Sequence, residues 1–318
     1  MAYTAGDTIL DDEYNDFVGK ATSPYGYNHF AGTGAGVYGL NQTSIATVSA
    51  GGTINASSWN SLFTGLDNIA NHTNVSITSS SVSAGDTIAI RAALISDLAS
   101  LASAVAGGST SATAISSPTA AGSSTNSATW NASSTIERSV TFANNATMRA
   151  FFNAGGYIRI DPSCITGIDG TKDNVFNELT TTAIGNLDFK AHSSTRSGSG
   201  ETLTTNGLAN GFHDISTGYT VLLKLTSNNS GYTSDTVEIS AKLNAAPATA
   251  TVLTIKMVST DPAADTTYTS GNTSGVAANP NEAPRMTLAL LEAYPTNAQG
   301  LAANIRAASN AQVSNSQS

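Results

Sequence analysis

Between residues 221 and 290 the chain alternates apolar and polar side chains in four separate runs, and this pattern constrains its fold more than any other feature. Val221, Leu223 and Leu225 alternate with Leu222 and Lys224. Val237, Ile239, Ala241 and Leu243 alternate with Glu238, Ser240 and Lys242. Leu253, Ile255 and Met257 alternate with Thr254 and Lys256, and Met286, Leu288 and Leu290 form a fourth run. A period of two points successive side chains to opposite faces, so each run predicts a strand with one face buried. Turn residues such as Ser227-Asn228-Asn229-Ser230-Gly231 separate the runs. Several such strands in succession predict an antiparallel sandwich.

The β-rich pattern begins near Ile136 and extends to residue 295. It is interrupted by at least one helix. Met148, Phe151 and Phe152 share a helical face, Asn144 or Asn145 can cap its start, and Gly155-Gly156 ends it. Tyr157-Ile158-Arg159-Ile160 then resumes a strand. This reading places Met148, Phe151 and Phe152 in the core of the β domain.

Residues 1–106 follow a different rule. Ala5-Gly6-Asp7-Thr8-Ile9 returns as Ala50-Gly51-Gly52-Thr53-Ile54 and as Ala84-Gly85-Asp86-Thr87-Ile88, each copy followed by a helix-like segment. The first two continue in parallel, Tyr14-Asn15-Asp16-Phe17 against Trp59-Asn60-Ser61-Leu62-Phe63. The unequal spacing excludes a solenoid, which needs a fixed period. Trp59, Leu62, Phe63, Leu66, Ile69 and Ala70 fall on one helical face, with Asn55, Ser57 or Ser58 as the cap. Ile90, Leu94, Leu98, Leu101 and Val105 mark a further helix stopped by Gly107-Gly108. These stripes can pack on one another or against another copy of the chain. Trp59, Leu62, Phe63 and Leu66, with Met148, Phe151, Phe152, Gly155 and Gly156, are the residues expected to carry packing and assembly.

Residues 107–135 are mostly Ser, Thr, Ala, Gly and Asn, and read either as a linker or as a loosely patterned surface segment. The tail, residues 296–318, has a similar low-complexity composition and is not expected to pack on its own domain. The predicted fold class is therefore mainly β with helices: an N-terminal helical assembly region over 1–106, then an antiparallel β-sandwich-like domain over 136–295 with one or two helices.

Charge narrows the function. Among 318 residues, 13 are Lys or Arg and 22 are Asp or Glu, a net charge of -9. Only 11% of residues are charged, against about 25% in ordinary domains. So acidic a chain makes a poor phosphate tracker, so no nucleic-acid partner is expected. No apolar run is long enough to cross a bilayer, so no membrane insertion is expected. The first residues carry neither a basic region nor an apolar stretch, so no export signal is expected. The single cysteine, Cys164, rules out an intrachain disulfide and a cysteine-built zinc site. Little charge is left to hold neighbouring copies apart, which suits permanent assembly.

Candidate chemistry is sparse. Gly34-Ala35-Gly36-Val37-Tyr38-Gly39 fits a dinucleotide fingerprint, but no helix pattern follows it, so it reads as a glycine-rich loop. His213-Asp214 invites a triad reading, yet no nucleophile-elbow sequence accompanies it. His29, His72 and His192 show no metal-ligand spacing. Asp161, Asp169 and Asp173 lie near Gly167 and Gly170 but fit no calcium loop and read as turn residues. Cys164 reads as a small buried residue. Tyr25, Tyr27, Phe30 and Tyr38 can stack on sugars or form a packing surface. No catalytic, cofactor-binding or metal-binding residue is assigned, and no cofactor is expected.

Phe151-Phe152-Asn153-Ala154-Gly155-Gly156, followed by Tyr157-Ile158-Arg159-Ile160, resembles a phrase of virion structural proteins of tailed bacteriophages, especially those of cyanobacteria and marine bacteria. Ile136 to Phe142 looks like the strand that leads into that family's helix, and Lys172 to Leu179 like the helix that follows it. Thr53 to Asn60 looks like its N-terminal helix start. Gly32 to Gly39 resembles its glycine-tyrosine loop, although Leu40-Asn41-Gln42 departs from the usual glycine-glutamine ending. The resemblance spans most of residues 1–295. It implies a particle component without catalysis, made in the host cytoplasm and carried in the virion. Its partners would be further copies of itself and other virion proteins of the tail, baseplate, neck or fibre apparatus. The alternatives are a fibre module that binds a host-surface glycan, with Tyr25, Tyr27, Tyr219 and Tyr232 as candidates, and a head decoration protein.

Overall fold

A computed structural model describes residues 11–32, 34, 36–83, 91–128, 130, 132–165, 170–262 and 284–317. The first and third copies of the repeated phrase, Ile90, Asp169 and Gly167 lie outside these residues. Among the described residues the chain forms six α-helices and eleven strands in two antiparallel sheets, a mainly β protein with helices and a sandwich. It divides into two compact units. The first comprises 1–117, 144–156 and 294–306; the second comprises 118–143, 157–293 and 307–318.

The first unit is helical: α1 Asp11–Gly19, α2 Tyr27–Ala31, α3 Ala56–Thr73, α4 Arg91–Ala106 and α5 Asn145–Asn153. Its longest helix, α3, begins where Asn55 accepts a hydrogen bond from the Ser58 N–H at 3.0 Å, satisfying a backbone donor the helix cannot. It ends at Asn74 in the left-handed conformation. The predicted stripe is buried, with Leu62, Leu66 and Ile69 wholly enclosed. Trp59 meets Tyr14 edge-on at 5.3 Å, and also Phe17 and Phe63. Such aromatic contacts contribute about 0.5–1.5 kcal/mol each beyond the area they bury.

Two extended segments run along these helices without a strand partner, and helix asparagines take that partner's place. Asn15 of α1 donates to the Val48 carbonyl and accepts from the Val48 N–H, both at 2.8 Å. Asn28 of α2 does the same to Ile45, at 2.7 and 2.9 Å. Asn60 of α3 does it to Val82, at 2.9 and 2.8 Å. A primary amide presents a donor and an acceptor with the spacing of a peptide edge, so one side chain closes both bonds. All three asparagines follow an aromatic residue: Tyr14, Tyr27 and Trp59. Val48 and Val82 stand at the same place before their glycine phrases, Val48-Ser49-Ala50-Gly51 and Val82-Ser83-Ala84-Gly85. The first two repeats thus each grip the segment that leads into the next one.

Helix α5 corrects an expectation. Its chain segment leaves the β unit after Ala143 and returns at Tyr157, so Met148, Phe151 and Phe152 fill the helical unit and not the β core. The reason lies in its polar partners. Arg149 donates to the Gly34 carbonyl, Asn153 to the carbonyls of Tyr38 and Gly36, and His72 meets the Ala154 carbonyl at 2.9 Å. All of these acceptors and donors belong to the helical unit. The cap is Asn144, accepting from the Thr147 N–H at 2.8 Å.

The second unit is the sandwich. Its strands are β1 Thr119–Thr125, β2 Ser133–Thr141, β3 Tyr157–Cys164, β4 Leu187–Phe189, β5 Ser194–Arg196, β6 Thr202–Asn206, β7 Thr220–Thr226, β8 Thr236–Leu243, β9 Val252–Thr260, β10 Met286–Ala293 and β11 Ser309–Gln317. One sheet has the order β1-β10-β3-β4-β5, the other β11-β2-β9-β8-β7-β6. The four alternating runs of the sequence are β7, β8, β9 and β10. Their inward residues, among them Leu225, Ile239, Ile255 and Leu288, are fully buried. The unit's helix, α6 Gly170–Asn177, continues into π-helical turns over Glu178–Ile184.

Two further expectations are corrected. Residues 107–135 are not simply a linker, because Thr119–Thr125 is an edge strand on β10. The end of the tail does pack on the β unit, because Ser309–Gln317 pairs with β2 from Thr141 to Ser134. Both strands lack apolar alternation. Backbone ladder bonds need no apolar side chain, and an open sheet edge supplies partners to any extended segment.

Candidate functional site

The assembly candidates from sequence separate into two clusters inside the helical unit. Trp59, Leu62, Phe63 and Leu66 are buried on α3, where Trp59 meets Tyr14 and Phe17 of α1, and Met148, Phe151 and Phe152 are buried on α5. Gly155 and Gly156 are where the helix turns away. A Cβ at Gly155, whose φ is +87°, would strike the Thr110 side chain, and one at Gly156 would strike the Phe151 carbonyl and Pro295. The glycine pair therefore lets α5 close against its neighbours. The two phrases behind the family resemblance also touch, since Arg149 and Asn153 hold the carbonyls of the Gly34–Tyr38 loop.

That loop leaves little for a phosphate. Its neighbouring N–H groups are committed, Gly39 and Leu40 to the Phe30 carbonyl and Asn41 to Gly32. An extended segment, not a helix, follows it. Beside it Tyr25 lies flat on His29 at 4.0 Å, with Tyr38 at 5.2 and 4.8 Å from the two rings. Burial lowers the His29 pKa, which favours the neutral ring. Tyr27 and Phe30 instead point inward, and the Tyr27 hydroxyl donates to the Thr43 carbonyl. The other sugar candidates, Tyr219 and Tyr232, belong to the β unit. Tyr219 carries the Lys242 and Lys256 ammonium groups over its ring at 4.3 and 3.9 Å.

A groove of about 680 Å³ opens between α3 and the segment following the glycine loop. Gln42, Ser44, Ser57, Asn60, Thr64 and Asn68 give it an uncharged lining of amides and hydroxyls, with Tyr27 at its base. Such a lining can exchange hydrogen bonds with a hydroxylated or peptide-like ligand but offers no general base.

The remaining sequence candidates are dispersed. Asp214 accepts from the Gly211 N–H at 2.9 Å, capping a short turn, while His213 stacks on His192 at 4.9 Å. Burial, aided by the nearby Asp173 charge, pushes the Cys164 thiol up to about 12, far from a thiolate. Asp161 is raised by burial and eased by Arg159, whose own guanidinium is paired with Asp188 at 2.7 Å. Among the described residues no group of three or more His, Cys, Asp or Glu side chains is arranged to hold a metal ion.

The most concentrated polar chemistry was not visible in the sequence. In the β unit, Lys172 of α6 lies 2.5 Å from an Asp261 carboxyl oxygen, with the two side chains only 5% and 0% exposed. Asp235, wholly buried, stands beside them. The pairing of Thr236 with Thr260 sets Asp235 and Asp261 at neighbouring strand ends of β8 and β9. Lys172, Val175 and Phe176 share the inner face of α6, and Trp130 packs edge-on against Phe176 at 5.1 Å. Burial, then the charge of Asp261 and a hydrogen bond with it, pushes Asp235 up to about 7, with Lys172 acting the other way. Burial beside the Asp261 charge thus favours the protonated form of Asp235.

Searches of protein families, curated proteins and solved structures find no match to the chain.

Proposed function

We propose that the chain is a non-catalytic structural subunit of a tailed-phage virion, made in the host cytoplasm. It works by self-assembly and by docking onto other virion proteins of the tail, baseplate, neck or fibre apparatus. The carrying observation is the edge strand β11. Ser309–Gln317 contains no charged residue and no proline, the devices that ordinarily keep a sheet edge from pairing with another chain. Its one irregularity is a bulge between Gln312 and Ser314. The bulged residue, Val313, is an apolar side chain 53% exposed. At the opposite edge of the same sheet, β6 is also uncharged within Thr202–Asn206. The phrase Phe151–Gly156 and the loop it grips add the family resemblance.

The test is the native mass of the purified chain across concentrations, with negative-stain images. Closed rings or elongated trimers are expected. A compact monomer at every concentration, unable to bind phage particles that lack this subunit, overturns the proposal.

A glycan-binding fibre module is the second reading. The uncharged groove at Tyr27 and the half-exposed Tyr25, His29 and Tyr38 cluster favour it. A glycan array without signal overturns it. Placement as a head decoration protein would show as labelling of capsids by an antibody to the chain.

A further inference from the structure

We propose that Lys172 and Asp261 join as an intramolecular isopeptide bond, formed by the chain itself with Asp235 as its acid–base catalyst. The two reacting side chains are already in contact, at 2.5 Å between the Lys172 nitrogen and an Asp261 oxygen. Held in one geometry, such a pair reacts as neighbours and not as solutes, which removes most of the entropic barrier. Burial supplies the second condition. An ion pair sealed from water loses its solvation, which lowers the cost of passing through a neutral amine nucleophile and a neutral acid. Asp235 supplies the third. No N–H or hydroxyl of another described residue reaches either Asp235 oxygen or Asp261 Oδ1. The proton shared between the two carboxyl groups is therefore aimed at the group under attack.

The step balances without a co-reactant. The Lys172 nitrogen lone pair attacks Asp261 Cγ while Asp235 hydrogen-bonds to the carboxyl oxygen and stabilises the tetrahedral centre. Asp235 relays a proton from the nitrogen to the departing oxygen. The C–O bond breaks, water leaves, the C–N bond remains, and Asp235 regains its proton. One ammonium and one carboxylate become one amide and one water, with no change in oxidation state. The burial of the pair, with Lys172 5% and Asp261 0% exposed, keeps bulk water from returning.

The test is the intact mass of the denatured full chain, followed by a tryptic map. The expected chain is lighter than its sequence by one water, with Ile160–Lys190 linked to Met257–Arg285 and uncut after Lys172. Lys172→Arg keeps the positive charge but cannot form the amide, and its chain is expected at full mass. Asp235→Asn is expected to leave the bond unformed or slowed at least tenfold after synthesis. A wild-type chain at full mass, with free Ile160–Lys172, overturns the proposal. So does a water deficit without the linked peptides, which marks cyclisation elsewhere. Bond formation in Asp235→Asn at the wild-type rate overturns the catalytic role of Asp235.

Discussion

Single residues carry much of the packing logic. Gly122 interrupts β1 with φ at +144° because the Arg138 guanidinium and the Asn310 amide occupy the space a Cβ would need. Arg138 is buried on the inner face of β2 and donates to the Ser123 carbonyl, the Ser124 hydroxyl and Asn310, so one cation binds β1 and β11 to β2. Gly122→Ala is expected to destabilise by roughly 1–3 kcal/mol, from strain and a displaced charge together. Chemical unfolding of the two chains measures it. His72 gives a pH signature. Burial lowers its pKa, against a smaller opposing effect of the Ala154 carbonyl. Its neutral ring is wholly enclosed. The unfolded chain takes up a proton as pH falls through about 6.5, while the folded chain does so only at lower pH. Stability is therefore full above that pH and is lost progressively below it. Thermal melts from pH 7.5 to 5 are expected to shift downward, and His72→Gln, keeping an N–H for Ala154, is expected to flatten that slope.

At the scale of elements, the asparagine clamps make a sharper prediction than any helix. Removing the amide in Asn60→Ala strips Val82 of both backbone partners. Each lost buried partner costs about 1–2 kcal/mol. Hydrogen exchange at the Val82 amide is expected to accelerate by more than tenfold, with Asn15→Ala doing the same at Val48. An unchanged rate at either amide means water replaces the clamp at no cost. These elements also show where the sequence was legible. Helix α3 and strands β7 to β10 were readable because side-chain periodicity of 3.6 or 2 records which face is buried. Strands β1 and β11 were not, since their stability comes from ladder bonds that any residue can make. Helix α5 was readable as a helix but not as part of the helical unit, because Arg149 and Asn153 reveal their loop partners only in space. The clamps were half visible, in the parallel between Tyr14-Asn15 and Trp59-Asn60.

For the whole molecule, assembly through β11 predicts that Val313→Lys weakens or abolishes oligomers while leaving the melting temperature of the monomer within a few degrees. Size-exclusion chromatography with light scattering reads the first, and a thermal melt the second. The Lys172, Asp235 and Asp261 cluster was illegible for a reason of scale. Its members come from a helix and two strand ends, and each alone reads as an ordinary surface charge. The interleaving of the units has its own consequence. The polypeptide passes from one unit to the other after Ser117, Ala143, Gly156, Ala293 and Arg306. No single proteolytic nick can release either unit, and neither can be expressed as one continuous fragment. Parting the two units leaves five covalent crossings to be broken, so the protein would hold together where a chain with a single crossing would come apart.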